Sequence, residues 1–222
     1  MIPAFAIDRT EVVLHELAGL RREGILPRNV PVYVDSPMAL AALDVYRDAL
    51  RTRSPELRPE VLAQGESAIS PEPFLAARSV QESIDINNTS GPAVIVSSAG
   101  MATGGRVLHH LSRVLPDPRN AVVIVGFAAA GTRARDLVDG ARALKMFGEY
   151  VPVRAEIADV PHFSAHADSD QIIDWLRNAP APRTTYLVHG EESASETLRD
   201  RIDRELGWTA VVPKPGEAVL VR

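Results

Sequence analysis

Apolar and polar positions in this chain fall into two periods that succeed one another. Short apolar runs bounded by proline, glycine or small polar residues read as strands, and longer stretches with apolar residues three and four apart read as helices. Residues 2–6 form the first run, and Asp8 with Glu11 makes an Asp-x-x-Glu box that opens a helix. That helix carries Val13, Leu14, Leu17 and Leu20 on one stripe and stops at Gly24. Residues 31–35 are a second strand. Ser36-Pro37 starts the next helix, with Leu40, Leu43, Tyr46 and Leu50 facing inward. Strand–helix alternation of this kind predicts a mainly parallel sheet with helices on its faces.

Residues 52–73 are the least regular, with a short helix expected at 59–64, and Ser79 opens another short helix that runs to Ile86. Residues 92–97 and 121–126 are continuous apolar runs, the mark of strands buried on both faces. Between them a helix carries Val107, Leu108, Leu111, Val114 and Leu115 inward; His109 and His110 fall off that stripe, which predicts solvent-exposed imidazoles. A hairpin is expected over 145–153 and a strand over 154–159. A helix bearing Ile172, Ile173, Trp175 and Leu176 follows, then a strand at 184–188 and a helix at 195–206. Short strands at Val211 and at 219–221 close the chain.

Composition narrows the chemistry. The 222 residues, a net charge of −5 and the absence of cysteine suit a cysteine-free globular protein and argue against a generally basic nucleic-acid binder, although a local groove could still be basic. Thiolate zinc sites and cysteine nucleophiles are excluded. No apolar stretch reaches the length of a membrane span, and no signal peptide opens the chain, so a cytoplasmic location is expected. The first apolar run begins at residue 2 with no solvated lead-in, which favours a segment of a longer chain; an ordinary edge strand is the alternative.

Two glycine-bearing turns join buried strands to helices: Ser98-Ala99-Gly100-Met101-Ala102-Thr103-Gly104-Gly105-Arg106, and Gly131-Thr132-Arg133-Ala134-Arg135. At one end of a parallel sheet such turns form a ligand crevice, and their amides at a helix start suit a phosphate. Glycines there can equally serve close packing. Arg106, Arg133 and Arg135 would add positive charge, or pair with Asp136 and Asp139 as surface arginines. His166 and, 23 positions later, His189 each follow a strand and precede a helix, an arrangement that can bring two imidazoles to the same end of one sheet. Pro161, Phe163 and Ser164 argue for a turn around His162 and His166, so their four-residue spacing does not define a helical zinc pair. One or two histidines cannot hold a catalytic zinc, which takes about three protein ligands.

At these residues the sequence resembles the β-CASP family of metallo-β-lactamase-fold nucleases. The likeness runs through residues 2–6, Asp35-Ser36-Pro37-Met38-Ala39, Ser79-Val80-Gln81-Glu82-Ser83, Ser98-Ala99-Gly100-Met101 with Gly104-Gly105-Arg106, and Gly131-Thr132 with Arg135. It ends in Phe163-Ser164-Ala165-His166-Ala167-Asp168 and Leu187-Val188-His189-Gly190-Glu191, which are similar to the family's motifs B and C. The resemblance implies an α/β fold: a mainly parallel β-CASP sheet flanked by helices over residues 1–155. Residues 156–222 would then form an incomplete C-terminal segment of a metallo-β-lactamase αββα fold. It implies a zinc-dependent RNA-processing nuclease, with His189 a zinc ligand and His166 near the scissile phosphate, stabilising charge or protonating the leaving oxygen. Ser98, Gly100, Thr103, Gly104, Gly105, Arg106, Thr132 and Arg135 would contact RNA phosphates in the groove.

The family's His-x-His-x-Asp-His motif, its later ligands and its acidic motif A do not occur in these residues. Weak zinc binding and no RNA cleavage by the chain alone are therefore expected. Unpaired strand edges around 184–188 suggest a homodimer. A non-catalytic module that binds RNA or a protein partner is the alternative reading.

Overall fold

The computed structural model describes residues 1–219, and the chain divides into two compact units, residues 1–164 and 165–222. The first unit alternates strands and helices in this order: β1 (Ile2–Pro3), α1 (Arg9–Arg22), β2 (Val32–Asp35), α2 (Pro37–Arg51), α3 (Pro59–Gln64), β3 (Phe74–Ala76) and α4 (Val80–Asp85). It continues with β4 (Val94–Ser97), α5 (Arg106–Val114), β5 (Ala121–Val125), α6 (Arg133–Val138), the hairpin strands β6 (Ala143–Met146) and β7 (Glu149–Pro152), and β8 (Glu156–Val160).

Strands β1, β4, β2 and β3 lie side by side in that order, all parallel, and β5 pairs in parallel with β8. Met1 bridges the two sheets, its carbonyl accepting from the Val123 amide at 2.9 Å and its own nitrogen donating to the Ala121 carbonyl at 2.9 Å, the bonding pattern of a parallel pair. A single parallel layer results, as the alternating sequence pattern predicts.

Strand β5 shows why its apolar run is continuous. Val122 and Ile124 belong to a core built with α5, α6 and the hairpin, through Val107, Leu111, Leu115, Leu137, Leu144 and Met146. Val125 and the partly buried Val123 belong to another core, with Leu14 and Leu17 of α1 and Leu40 and Leu43 of α2. Successive strand residues point to opposite faces, so the two cores cover the two faces of the sheet.

Several local expectations are revised. Asp8 takes φ 63° and makes no side-chain cap to α1; it accepts the Tyr46 hydroxyl instead, so the Asp8–Glu11 capping box does not form. The tertiary contact outweighs the local one. Ser79 does cap α4, with a reciprocal box to Glu82.

The second unit holds α7 (Ser169–Leu176), β9 (Thr185–Tyr186), α8 (Glu192–Leu206) and β10 (Ala210–Val211), with β9 parallel to β10. Its core is small: Ile173, Ile202 and Trp208, with Leu176, Leu187, Leu198 and Leu206 around them. The strand expected over 184–188 shortens to the two residues that β10 pairs, and α8 begins at Glu192 rather than Ser195. The strand expected at 219–221 reaches outside the described residues. Asp168 and Gln171 form a capping box at the start of α7 that the sequence reading missed, at 2.8 and 3.0 Å.

Candidate functional site at the carboxyl edge of the sheet

The carboxyl ends of β2 and β4 meet at Asp35 and Ser97, which are cross-strand partners in the parallel ladder. Asp35 is fully buried, and its carboxylate is the centre of a hydrogen-bond cluster. Arg106 donates to one oxygen at 2.7 Å; His110 (2.6 Å) and the Ser83 hydroxyl (2.5 Å) bond the other. Burial opposes ionisation of Asp35, yet the bonds from His110, Ser83 and Arg106 prevail and hold its carboxyl below the usual carboxylate range. The Ser97 hydroxyl donates to the Asp35 carbonyl at 2.8 Å, and that of Ser98 to the Ser36 hydroxyl at 2.6 Å.

This cluster corrects one expectation outright: His110 is only 2% exposed and bonded to Asp35, not a solvated surface residue. His109 is exposed, as expected. The apolar stripe of α5 gave no sign of the His110 contact, because its partner lies 75 positions away in the sequence.

The glycine-rich turn between β4 and α5 is held from both sides. Gly100 packs so closely on the chain after β1 that a Cβ there would stand 3.0 Å from the Phe5 amide nitrogen and 3.2 Å from the Ala4 carbonyl carbon, so a larger residue would have to push that backbone aside by a few tenths of an ångström. Gly105 opens α5 at φ 80°, with no side-chain cap and no acidic residue in the first turn. The positive end of the helix therefore has no carboxylate of its own to neutralise it. Arg106 also donates to the carbonyls of Ala77 (3.0 Å) and Arg78 (3.4 Å). Thr103 is exposed and Gly104 has open space around its Cα.

The second turn is organised by Thr132 and Arg133. Thr132 donates to the Ala129 carbonyl at 2.6 Å and accepts from the Arg135 amide at 3.3 Å, capping α6. Arg135 pairs with Asp139 at 2.9 Å, the pairing weighed as the structural alternative. Arg133 reaches across to the carbonyls of Lys145 (2.9 Å), Ala102 and Thr103 (both 3.3 Å), binding the hairpin to the first glycine turn.

The two candidate histidines lie in the second unit, and both are exposed. His189 takes φ 73°. Gly190 after it is closely packed: a Cβ would fall 2.4 Å from the Ser195 hydroxyl oxygen, so a larger residue there would force the buried Ser195 side chain to shift. The strand that leads toward His166, β8, pairs with β5, and the strand that leads toward His189, β9, pairs with β10. Phe163 packs against the core of the first unit.

Among the described residues no group of three or more histidine, aspartate or glutamate side chains is arranged to hold a metal ion. A catalytic zinc takes about three protein ligands, so the donors present do not make up a zinc centre. No helix among them is long and apolar enough to cross a membrane.

Fold and edge together define a parallel α/β domain with helices on both faces, a ligand-suited edge of glycine turns, and a small α/β unit after it. The chain belongs to the β-CASP family of metallo-β-lactamase-fold nucleases. The Beta-Casp domain matches residues 10–137, and the Zn-dependent metallo-hydrolase RNA specificity domain matches residues 150–213. The chain is 38% identical to a ribonuclease of Thermus thermophilus over 86% of its own length and 43% of that protein's. It is 32% identical to an RNase J-like protein of Methanocaldococcus jannaschii, over 97% of this chain and 48% of the relative. It is 29% identical to the transcription termination factor FttA of Pyrococcus abyssi, over 100% of this chain and 35% of the relative. The chain thus spans less than half the length of these relatives.

Proposed function

We propose that this chain supplies the RNA-holding groove and the closing motifs of a zinc-dependent RNA-processing nuclease. The observation that carries this reading is the carboxyl edge of the first sheet. There a turn packed tightly against the backbone at Gly100 delivers α5 with an uncapped, acid-free first turn. Backbone amides in that setting suit phosphate oxygens. In this reading residues 1–155 are the β-CASP domain and residues 156–222 the returning metallo-β-lactamase segment. The RNA backbone runs along Ser98, Gly100, Thr103, Gly104, Gly105 and Thr132.

Arg106 and Arg135 complete that set in different ways. The Arg106 guanidinium is committed to Asp35 and two carbonyls, so it acts chiefly by fixing the turn. Arg135, 38% exposed at its side chain and paired with Asp139, presents its charge at the solvent side of the second turn. His189 is a zinc ligand and His166 acts at the scissile phosphate in the complete centre, whose remaining ligands lie outside these residues. In the second unit Trp175 and Val188 are 75% and 72% exposed, and light scattering decides whether a second copy covers them.

The test is metal analysis after exhaustive dialysis, together with incubation of the purified chain with labelled single-stranded RNA and zinc. Less than one retained zinc and no cleavage are expected. Two firmly held zincs with cleavage abolished by His189→Ala would overturn the assignment of this chain as an incomplete centre.

A further inference from the structure

The tip of the β6–β7 hairpin carries an aromatic residue where turn chemistry disfavours one. Phe147 and Gly148 have φ values of 52° and 86°, the positive pair of a two-residue hairpin turn, whose first position usually goes to asparagine, aspartate or glycine. A bulky residue there is an uncommon choice and costs conformational energy. Its ring is not used to fill the core: Leu144 and Met146 do that, while Phe147 is 59% exposed. One face of the ring stacks on His109, with centroids 4.6 Å apart and planes 25° from parallel. With that face covered, the remaining exposure leaves the other face open to a flat ligand.

The stack stands beside the glycine-rich turn. His109 is in the first turn of α5, four residues after Gly105, and the Arg133 guanidinium joins the carbonyl of Lys145 to those of Ala102 and Thr103. Arg113 lies one helical turn beyond His109, and Lys145 pairs across the hairpin with the 74%-exposed Tyr150; Glu149 is the one acidic neighbour on the hairpin. A single exposed ring, with Arg113 and Lys145 on the two elements that carry the stack, fits a ring-sized ligand and not an extended apolar partner. Aromatic faces interleaved with positive charge are how single-stranded nucleic acids are held without sequence readout.

We propose that Phe147, backed by His109, is a stacking platform for one nucleobase of single-stranded RNA whose adjacent phosphates lie along the turn at residues 98–105. This rests on the RNA-binding reading above and adds a base-contacting site to it. The platform orders the strand relative to the turn and is blind to base identity.

The test uses the full chain and a set of single-stranded oligoribonucleotides, each with one 2-aminopurine at a different position; stacking quenches its fluorescence. The unmodified chain is expected to quench the 2-aminopurine fluorescence on binding. Phe147→Leu should abolish that quench and weaken binding about tenfold or more, Phe147→Trp should keep both, and His109→Ala should weaken both in part. Both residues sit at exposed positions, and thermal melts confirm that the variants fold. Salt-sensitive RNA binding with an unchanged quench in Phe147→Leu would overturn the platform and leave the RNA-binding reading standing. No RNA binding by the unmodified chain would overturn both.

Discussion

Glu11 places a carboxyl in the core of the first unit, and its replacement by glutamine gives a quantitative test of the fold. It lies on α1 at 3% exposure, and neither carboxylate oxygen has a hydrogen-bond partner. Burial pushes its carboxyl up from 4.5 to about 7; the Glu11 and Asp8 backbone amides, too poorly placed to form hydrogen bonds with it, pull the other way, and the nearby Asp8 charge adds to the rise. A carboxyl raised in the folded state is bound to its proton more tightly there than in the unfolded chain. Stability is thus greatest below about pH 4.5, falls as pH rises toward 7, and then levels off. A displacement from 4.5 to about 7, at about 1.4 kcal/mol per unit, amounts to about 3 kcal/mol at most. Glu11→Gln keeps the shape and removes the ionisation. Urea unfolding from pH 5 to 8.5 should show the variant gaining stability relative to the unmodified protein as pH rises, by about 2–3 kcal/mol in total. That would correspond to about 4–12 °C in Tm for a domain of this size. A difference between the two proteins that stays constant across this range would refute the assignment of a buried, unpartnered carboxyl.

Three further outcomes follow from the site. Asp35→Asn removes the buried charge that Arg106 and His110 bond, and should cost about 3–5 kcal/mol by chemical denaturation. Because the Asp35 carboxyl is held below its ordinary range, its contribution is present at neutral pH and is lost as the solution is acidified through its folded-state titration, a loss the Asn variant should lack. Gly190→Ala sets a Cβ 2.4 Å from the Ser195 hydroxyl and should destabilise the second unit by about 1–3 kcal/mol, whereas adding Ser195→Ala should restore most of the loss; additive penalties would contradict the close approach. Arg106→Lys cannot span Asp35 and two carbonyls with a single ammonium and should loosen the glycine turn, measured as faster amide exchange over residues 98–105.

The parallel layer was legible because its signals are local. The unbroken run at 121–126 means burial on both faces, and β5 does contribute alternate residues to two cores. Ser36-Pro37 opens α2 as written, with the Ser36 hydroxyl accepting from the Ala39 amide at 3.2 Å. The site was legible only where a backbone constraint marks the sequence, as at Gly100 and Gly190. The Asp35–His110 bond left no local trace. His110 sits off an amphipathic stripe, and only the crossover that brings α5 over the end of β2 buries it. Asp8 failed in the opposite sense: the local box was correctly written, but Tyr46, 38 residues on, takes its carboxylate. Short strands such as β9 depend wholly on their partner, so their ends cannot be read from propensity.

The most direct test of the account is fluorescence anisotropy of a labelled single-stranded oligoribonucleotide titrated with the chain at a series of salt concentrations. An edge that holds the RNA backbone through phosphates predicts binding at low salt, with the logarithm of affinity falling linearly against the logarithm of salt at about 0.7 per phosphate engaged. Binding that is absent at low salt, or present but indifferent to salt, would contradict it.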